Sequence, residues 1–153
     1  MRTILFVCTG NTCRSPMAEA IARNQLSKGP CGLDDLFVAS AGVATVEGIP
    51  PSVEAMVVLE STGIELDGFS TPLSAEMVEK AEVVFCMTAS HVETTRSLVE
   101  KSHHEKIVQL DPSGDVEDPI GRDEAAYHAL MQRLEGLIAA RLEDLVHEDR
   151  NRS

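Results

Sequence analysis

Residues 3–16 read Thr3-Ile4-Leu5-Phe6-Val7-Cys8-Thr9-Gly10-Asn11-Thr12-Cys13-Arg14-Ser15-Pro16, an apolar run that breaks into a polar turn and ends on a proline. Residues 3–7 show no alternation of apolar and polar side chains, the pattern of a strand buried on both faces of a sheet. Ser15 reads as a helix N-cap and Pro16 as the first helical residue, where a missing N–H leaves nothing unpaired. Met17, Ala20, Ile21 and Leu26 then give that helix an inward face. The chain therefore opens with a strand, a short loop and a helix.

The rhythm recurs outward from this stretch. Residues 36–40 read as a second strand followed by Gly42 and a loop, and residues 51–61 as a helix stopped by Gly63. A short helix is expected over 75–80, a third apolar strand over 82–87 with a helix near 90–99 behind it, and a fourth strand over 106–110. After the turn-rich segment 111–122, the longest helix is expected from about 123 to 146, striped by Leu130, Leu134, Leu137, Ile138, Leu142 and Leu145. Four apolar strands alternating with helices predict an α/β fold: a single-domain, four-stranded parallel sheet with helices on both faces and right-handed crossovers. Residues 1–148 are expected to form that domain and 149–153 a frayed C-terminal tail. Such sheets bind ligands beyond the carboxyl ends of their strands, where segments 8–15, 42–49, 88–91 and 111–122 fall.

With 153 residues the chain has room for one core of ordinary size. Only 3% of the residues are aromatic, so that core must rest on Val, Leu, Ile, Ala and Met. A formal charge of −12 argues against nucleic-acid binding, which needs a basic surface, and against anionic membranes. The first apolar run is too short for a signal peptide, and no stretch approaches the ~18 apolar residues of a membrane span. The four cysteines, Cys8, Cys13, Cys31 and Cys86, lack the dense spacing of a secreted disulfide scaffold. A cytoplasmic protein, a monomer or weak dimer, is expected.

The chemistry concentrates in Cys8-Thr9-Gly10-Asn11-Thr12-Cys13-Arg14-Ser15, where a cysteine and an arginine are separated by five residues. A short loop between a strand end and a helix start points successive backbone N–H groups at one spot. With the positive helix end they make a site for a dianion. Gly10 permits backbone conformations that other residues resist, and Asn11 is a residue type that tolerates the left-handed region. Arg14 closes the ring with a planar, two-pronged donor suited to phosphate oxygens. The same field favours the thiolate of Cys8, which inside a phosphate cradle can attack phosphorus. Ser15 can donate a hydrogen bond to that sulfur when it leaves. A buried structural thiol is the bland alternative for Cys8, and the spaced arginine, the strand and the glycine weigh against it.

Transfer of a phosphoryl group to a thiolate requires the leaving atom to be protonated. Asp118, stiffened by Pro119 in a loop made pliable by Gly114 and Gly121, is the candidate acid. Asp111-Pro112 repeats the same dipeptide seven residues earlier and is the competing choice.

Val-Cys-Thr-Gly-Asn-Thr-Cys-Arg-Ser-Pro-Met-Ala-Glu at 7–19, Ser40-Ala41-Gly42 and the late Asp118-Pro119 resemble the low-molecular-weight protein tyrosine phosphatase family. The resemblance covers essentially the whole chain. It implies Cys8 as nucleophile, Arg14 as phosphate clamp, Asp118 as general acid and Ser15 as thiolate stabiliser. Thr9, Gly10, Asn11, Thr12 and Cys13 complete the phosphate loop, with Ser40 supporting it through the network around Asn11. The family uses no metal, and no cofactor is expected; the partners are phosphorylated proteins. Members directed at phosphotyrosine usually carry a bulkier aliphatic residue in place of Thr12, and tyrosines where this chain has Ile120 and Gly121. The loop is instead similar to the bacterial protein-arginine phosphatases of the family. Thr12 offers a hydroxyl to guanidinium N–H groups, and Asp118 an acid for a cationic leaving group.

Arsenate reductases share this fold and loop but need a second cysteine seven residues after the one near Cys86, where this chain has Glu93. Cys86 therefore reads as a core residue. Cys13, inside the loop, is placed to form a reversible disulfide that shields Cys8 from over-oxidation. A non-catalytic phosphate-reading module would need neither Cys8 nor Asp118. His103-His104 lacks a third metal ligand and reads as solvated surface, and Cys31 as a turn cysteine.

Overall fold

The computed structural model describes residues 2–29 and 33–152; Cys31 lies outside them. Strand β1, Arg2–Cys8, is central, and its residues 4–8 are buried on both faces. Alternation along the strand sends Ile4, Phe6 and Cys8 into one core and Leu5 and Val7 into the other. Strands β2 (Leu36–Gly42), β3 (Val83–Cys86) and β4 (Ile107–Gln109) complete a parallel sheet of order β2-β1-β3-β4. The register pairs Phe6 with Phe85, whose rings lie 5.8 Å apart, and Cys8 with Gly42. That last pair carries β2 two residues past its expected end. Helices α1 (Arg14–Ser27), α2 (Val53–Glu60) and α5 (Glu124–Arg152) cover the first face, and α3 (Ala75–Lys80) and α4 (Ala89–Ser97) the second.

The short helices start where side-chain oxygens accept orphan N–H groups: Ser52 from Ala55, Ser74 from Met77 and Thr88 from His91. Helix α1 is the exception. It begins at Arg14 with Cys13 in the cap position and no side-chain cap, so Ser15, expected to be the N-cap, lies inside the first turn. Its hydroxyl is committed to Cys8 and Asn11 instead. Helix α5 continues to Arg152, past the end expected near 146 and through the tail expected to fray. Arg2 grips that tail through Asp149 at 2.8 Å, a long-range tie that helix periodicity alone cannot register. His103 and His104, expected on a solvated face, are half-buried in a 3-10 turn, Lys101–Lys106. There the Nε2–H of His104 donates to the Arg96 carbonyl at 2.8 Å and so caps α4. No described helix is long and apolar enough to cross a membrane.

The sense of connection reverses between the parallel strands β1 and β3: the connection from β1 leads outward to β2, that from β3 outward to β4. The carboxyl ends of these two strands thus bound a crevice, the usual ligand position of an open α/β sheet.

Candidate active site

Cys8 ends β1 in this crevice, 2% exposed, and the loop to Arg14 curls around it. Asn11 holds the loop's shape. It has φ 54°, the one positive-φ residue other than glycine among those described, as its side chain allows. Its amide spends both hydrogens, one on Ser15 Oγ (2.8 Å) and one on Ser40 Oγ (3.0 Å), and its oxygen accepts from Thr71 N (2.9 Å). The Ser40 hydroxyl in turn donates a hydrogen bond to Glu19 Oε1 at 2.8 Å. Gly10, by contrast, has no positive φ, and a Cβ there would make only ordinary contact with Thr12 Oγ1 at 3.6 Å. The glycine that the loop requires is Gly42: a Cβ would stand 2.6 Å from the Thr9 carbonyl oxygen.

Ser15 Oγ lies 2.9 Å from Cys8 Sγ and 3.4 Å from the Ala41 carbonyl. Asn11 occupies one lone pair of that oxygen, so the single hydroxyl proton serves either the carbonyl or the sulfur. With Cys8 as a thiol it turns to Ala41; with Cys8 as a thiolate it turns to the sulfur. Arg14, 4% exposed, donates to Val116 O (3.1 Å), Thr9 Oγ1 (3.3 Å) and Asp118 Oδ2 (3.4 Å). The guanidinium is thereby oriented by three acceptors on two loops.

The structure separates the two Asp-Pro pairs. Asp118 stands beside Arg14 with a third of its side chain exposed, and its other oxygen accepts from Ile120 N at 3.0 Å across Pro119. Asp111 is bound to Arg133 at 2.7 Å and to Ser113 at 2.8 Å, contacts that hold its carboxyl down at about 2. It braces the loop between Ser113 and Arg133. The loop is further pinned by Val116 N to Met87 O and by Asp115 to Ala89 N.

Cys13 is buried against Tyr127, whose hydroxyl also reaches Ser52; burial first, then the Asp118 and Cys8 charges, push its thiol up to about 12. Cys86 is fully buried on the other face of the sheet, its thiol also at about 12 through burial, and touches Thr95. Thr12 is half-buried, its carbonyl taken by Ser52 N at 2.8 Å. Ile120 is 61% exposed and Gly121 follows at φ 79°.

A family model described as low molecular weight phosphotyrosine protein phosphatase matches residues 3–151. The chain belongs to that family. Over 149 residues this phosphatase is 40% identical to a protein-arginine-phosphatase of Geobacillus stearothermophilus, covering 95% of this chain and 97% of the relative. It is 33% identical to the low molecular weight protein-tyrosine-phosphatase YfkJ of Bacillus subtilis, over 77% of this chain and 78% of the relative. Among solved structures, the YwlE arginine phosphatase from Geobacillus stearothermophilus superposes with a TM-score of 0.85 at 35% identity, covering 100% of this chain and 98% of that one. A YwlE mutant with a phosphorylated active-site serine gives 0.89 at 32% identity, covering 97% and 98%. The phosphatase is thus a cysteine-based enzyme with the four-stranded parallel fold of these neighbours.

Two residues of the site escaped the sequence. Glu19 ends the hydrogen-bond chain behind Asn11, and its position four residues after Ser15, one turn along α1, is a signal that could have found it. His91 lies 2.8 Å from Thr9 Oγ1 from a helix 82 positions away; its segment 88–91 is expected at the ligand edge of the sheet, but nothing in it points to the imidazole.

Proposed function

We propose that this phosphatase hydrolyses phosphoarginine in proteins through a cysteinyl-phosphate on Cys8. The thiolate attacks phosphorus as the P–N bond breaks, and Asp118 gives its proton to the departing guanidine nitrogen. Water then attacks the cysteinyl-phosphate, Asp118 takes a proton from that water, and the S–P bond breaks with Ser15 donating to the released thiolate. Arg14 and the loop N–H groups hold the phosphoryl oxygens in both steps. A reducing, cytoplasmic home suits the free thiols of Cys8, Cys13 and Cys86.

The observation that carries the substrate assignment is the rim. Asp118 presents a partly exposed carboxylate, and Ile120 and Gly121 follow it where a phosphotyrosine ring would want a flat wall. A flexible guanidinium stem is served by the Asp118 carboxyl, which accepts an N–H through its unprotonated oxygen while its proton goes to the leaving nitrogen, and by the Thr12 hydroxyl. The similarity to protein-arginine-phosphatases supports the same substrate. The test is kcat/KM on matched phosphoarginine and phosphotyrosine peptides for the wild type and Thr12→Ile. The variant should lose ~10-fold or more on phosphoarginine and gain on phosphotyrosine, since a lost polar contact is worth on the order of 1–3 kcal/mol. An unchanged ratio between the two substrates would leave Thr12 a packing residue and favour phosphotyrosine.

A further inference from the structure

We propose that His91 is a positioning residue of the active site: its Nε2 accepts the hydrogen bond of the Thr9 hydroxyl and so holds Thr9 Oγ1 as an acceptor for Arg14. The proposal rests on the reading of Arg14 as the phosphate clamp.

His91 belongs to α4, which leaves β3 on the opposite side of the crevice from the loop after β1. The two meet where the strand order reverses. His91 is only 5% exposed, and its Nε2 lies 2.8 Å from Thr9 Oγ1. Arg14 Nη2 lies 3.3 Å from the same oxygen, and a guanidinium can only donate. Thr9 Oγ1 therefore accepts from Arg14, and its one hydrogen is left for the imidazole. A donating Nε2–H would give the oxygen two donors and leave the hydroxyl proton to seek another acceptor. With Nε2 accepting, the neutral ring carries its hydrogen on Nδ1, which has no hydrogen-bond partner among the described residues, so the bond to Thr9 is the one hydrogen bond of a buried imidazole.

The environment keeps the ring in the form this role requires. Burial, and next the charge of Arg14, hold its pKa at about 4 against the opposing pull of Asp115 and Asp118. The imidazole is accordingly neutral at working pH and free to accept. Thr88 caps the helix at His91 N (3.2 Å), and Asp115 accepts from Ala89 N (2.9 Å), so the helix that carries the ring is itself fastened to the acid loop.

The need arises from what Arg14 must do in turnover. Of its three acceptors, Asp118 is the most distant and the one reassigned to the leaving group. Val116 O and Thr9 Oγ1 remain to hold the guanidinium plane while the phosphoryl group moves. A Thr9 hydroxyl without a fixed proton acceptor is free to rotate its hydrogen toward Arg14, and the clamp then loses one of its two lasting supports.

The experiment compares His91→Phe, which keeps a ring without an acceptor, His91→Ala and His91→Gln, each alone and combined with Thr9→Val. Both kcat/KM on a phosphoarginine peptide and the affinity for orthophosphate are measured. His91→Phe and His91→Ala should each lower kcat/KM by about tenfold and weaken orthophosphate, the size of one charged-partner hydrogen bond. His91→Gln, whose carbonyl restores an acceptor, should return to within about threefold of the wild type. In the Thr9→Val background, removing His91 should add less than a twofold loss, because the shared oxygen is already gone. An equal loss in both backgrounds, or a His91→Gln variant as impaired as His91→Phe, would overturn the proposal. If the two acceptor-free variants do not fold, His91→Gln is compared with the wild type in both backgrounds. A loss of about tenfold or more in kcat/KM or orthophosphate affinity for His91→Gln would then overturn the proposal. Orthophosphate affinity needs Arg14 but no turnover. A wild type inactive on every phosphopeptide would therefore overturn the catalytic reading while the coupling of His91 to Thr9 is still measured.

Discussion

Gly42→Ala tests whether the phosphate loop is shaped by sterics from the neighbouring strand. Gly42 pairs with Cys8, donates to Thr71 O at 2.9 Å and accepts from Leu73 N at 2.9 Å, so its own backbone is fastened on both sides. Its φ is not positive, so alanine meets no conformational penalty there. The obstacle is space. The added Cβ would lie 2.6 Å from Thr9 O and 3.0 Å from Asn11 N, both backbone atoms of the phosphate loop. The third neighbour, Thr45 Cγ2 at 3.0 Å, is a side-chain atom that can rotate away. Ordinary contact begins at 3.4 Å, so the Thr9 carbonyl must retreat by about 0.8 Å. That retreat strains the Ala44 N to Thr9 O bond and shifts the residue after the nucleophile. Overpacking of this kind costs about 1–3 kcal/mol of stability, and a misplacement near 1 Å costs ~10²-fold in rate. The assay is kcat/KM alongside urea unfolding, with Gly63→Ala as the companion. Gly63 has φ 82° and open space around its Cβ direction, so its alanine variant should lose about 1 kcal/mol of stability and retain activity. If Gly42→Ala keeps kcat/KM within twofold of the wild type, the steric account of the loop is wrong.

Three further outcomes are expected. Cys8→Ser should keep the fold and bind orthophosphate while losing turnover, and Arg14→Lys should be severely impaired because a point charge cannot reproduce a two-pronged grip; near-normal turnover in either would contradict its assigned role. Asp118→Ala should slow the first step ~10²–10⁴-fold on substrates that need a protonated leaving group and much less on a nitrophenyl phosphate. Asp111→Ala, which removes the partner of Arg133, should reduce stability and spare that leaving-group dependence; the reverse pattern would transfer the acid to Asp111. Mild peroxide should inactivate the enzyme reversibly through a Cys8–Cys13 disulfide, and mass analysis that finds Cys8 mainly as sulfonic acid, with no thiol-reversible phase, would refute protection by Cys13.

Much of this was legible because it is encoded locally. A continuous apolar strand, a tight loop and a helix start are properties of some twenty consecutive residues at the N-terminus, and their chemistry needs only that order. The same holds for Asn11, whose left-handed backbone follows from its residue type, and for the alternation of strands and helices that dictates a parallel sheet. Expectation and structure part where a contact from another segment sets a residue's role. Ser15 has the composition of an N-cap, but its hydroxyl is spent on Cys8 and Asn11, so α1 begins uncapped at Arg14. Gly10 has the composition of a required glycine, yet the demand for a missing side chain falls on Gly42, where a neighbouring strand approaches.

By itself the sequence determined the fold class, the cysteine-to-arginine spacing and the family, because spacing within one segment survives any tertiary arrangement. By residue type it preferred Asp118 to Asp111 only modestly, and the family resemblance named Asp118 as the acid, since two Asp-Pro pairs in one loop differ chiefly in what lies across from them. Tertiary structure added what lies across from each, setting Asp118 3.4 Å from Arg14 and Asp111 2.7 Å from Arg133. It also brought His91 to Thr9 across the reversal of strand order, and Asp149 to Arg2 across almost the whole chain. Hydrogen bonds act over about 3 Å of space whatever the separation in sequence, so partners that distant become visible only once the sheet has folded.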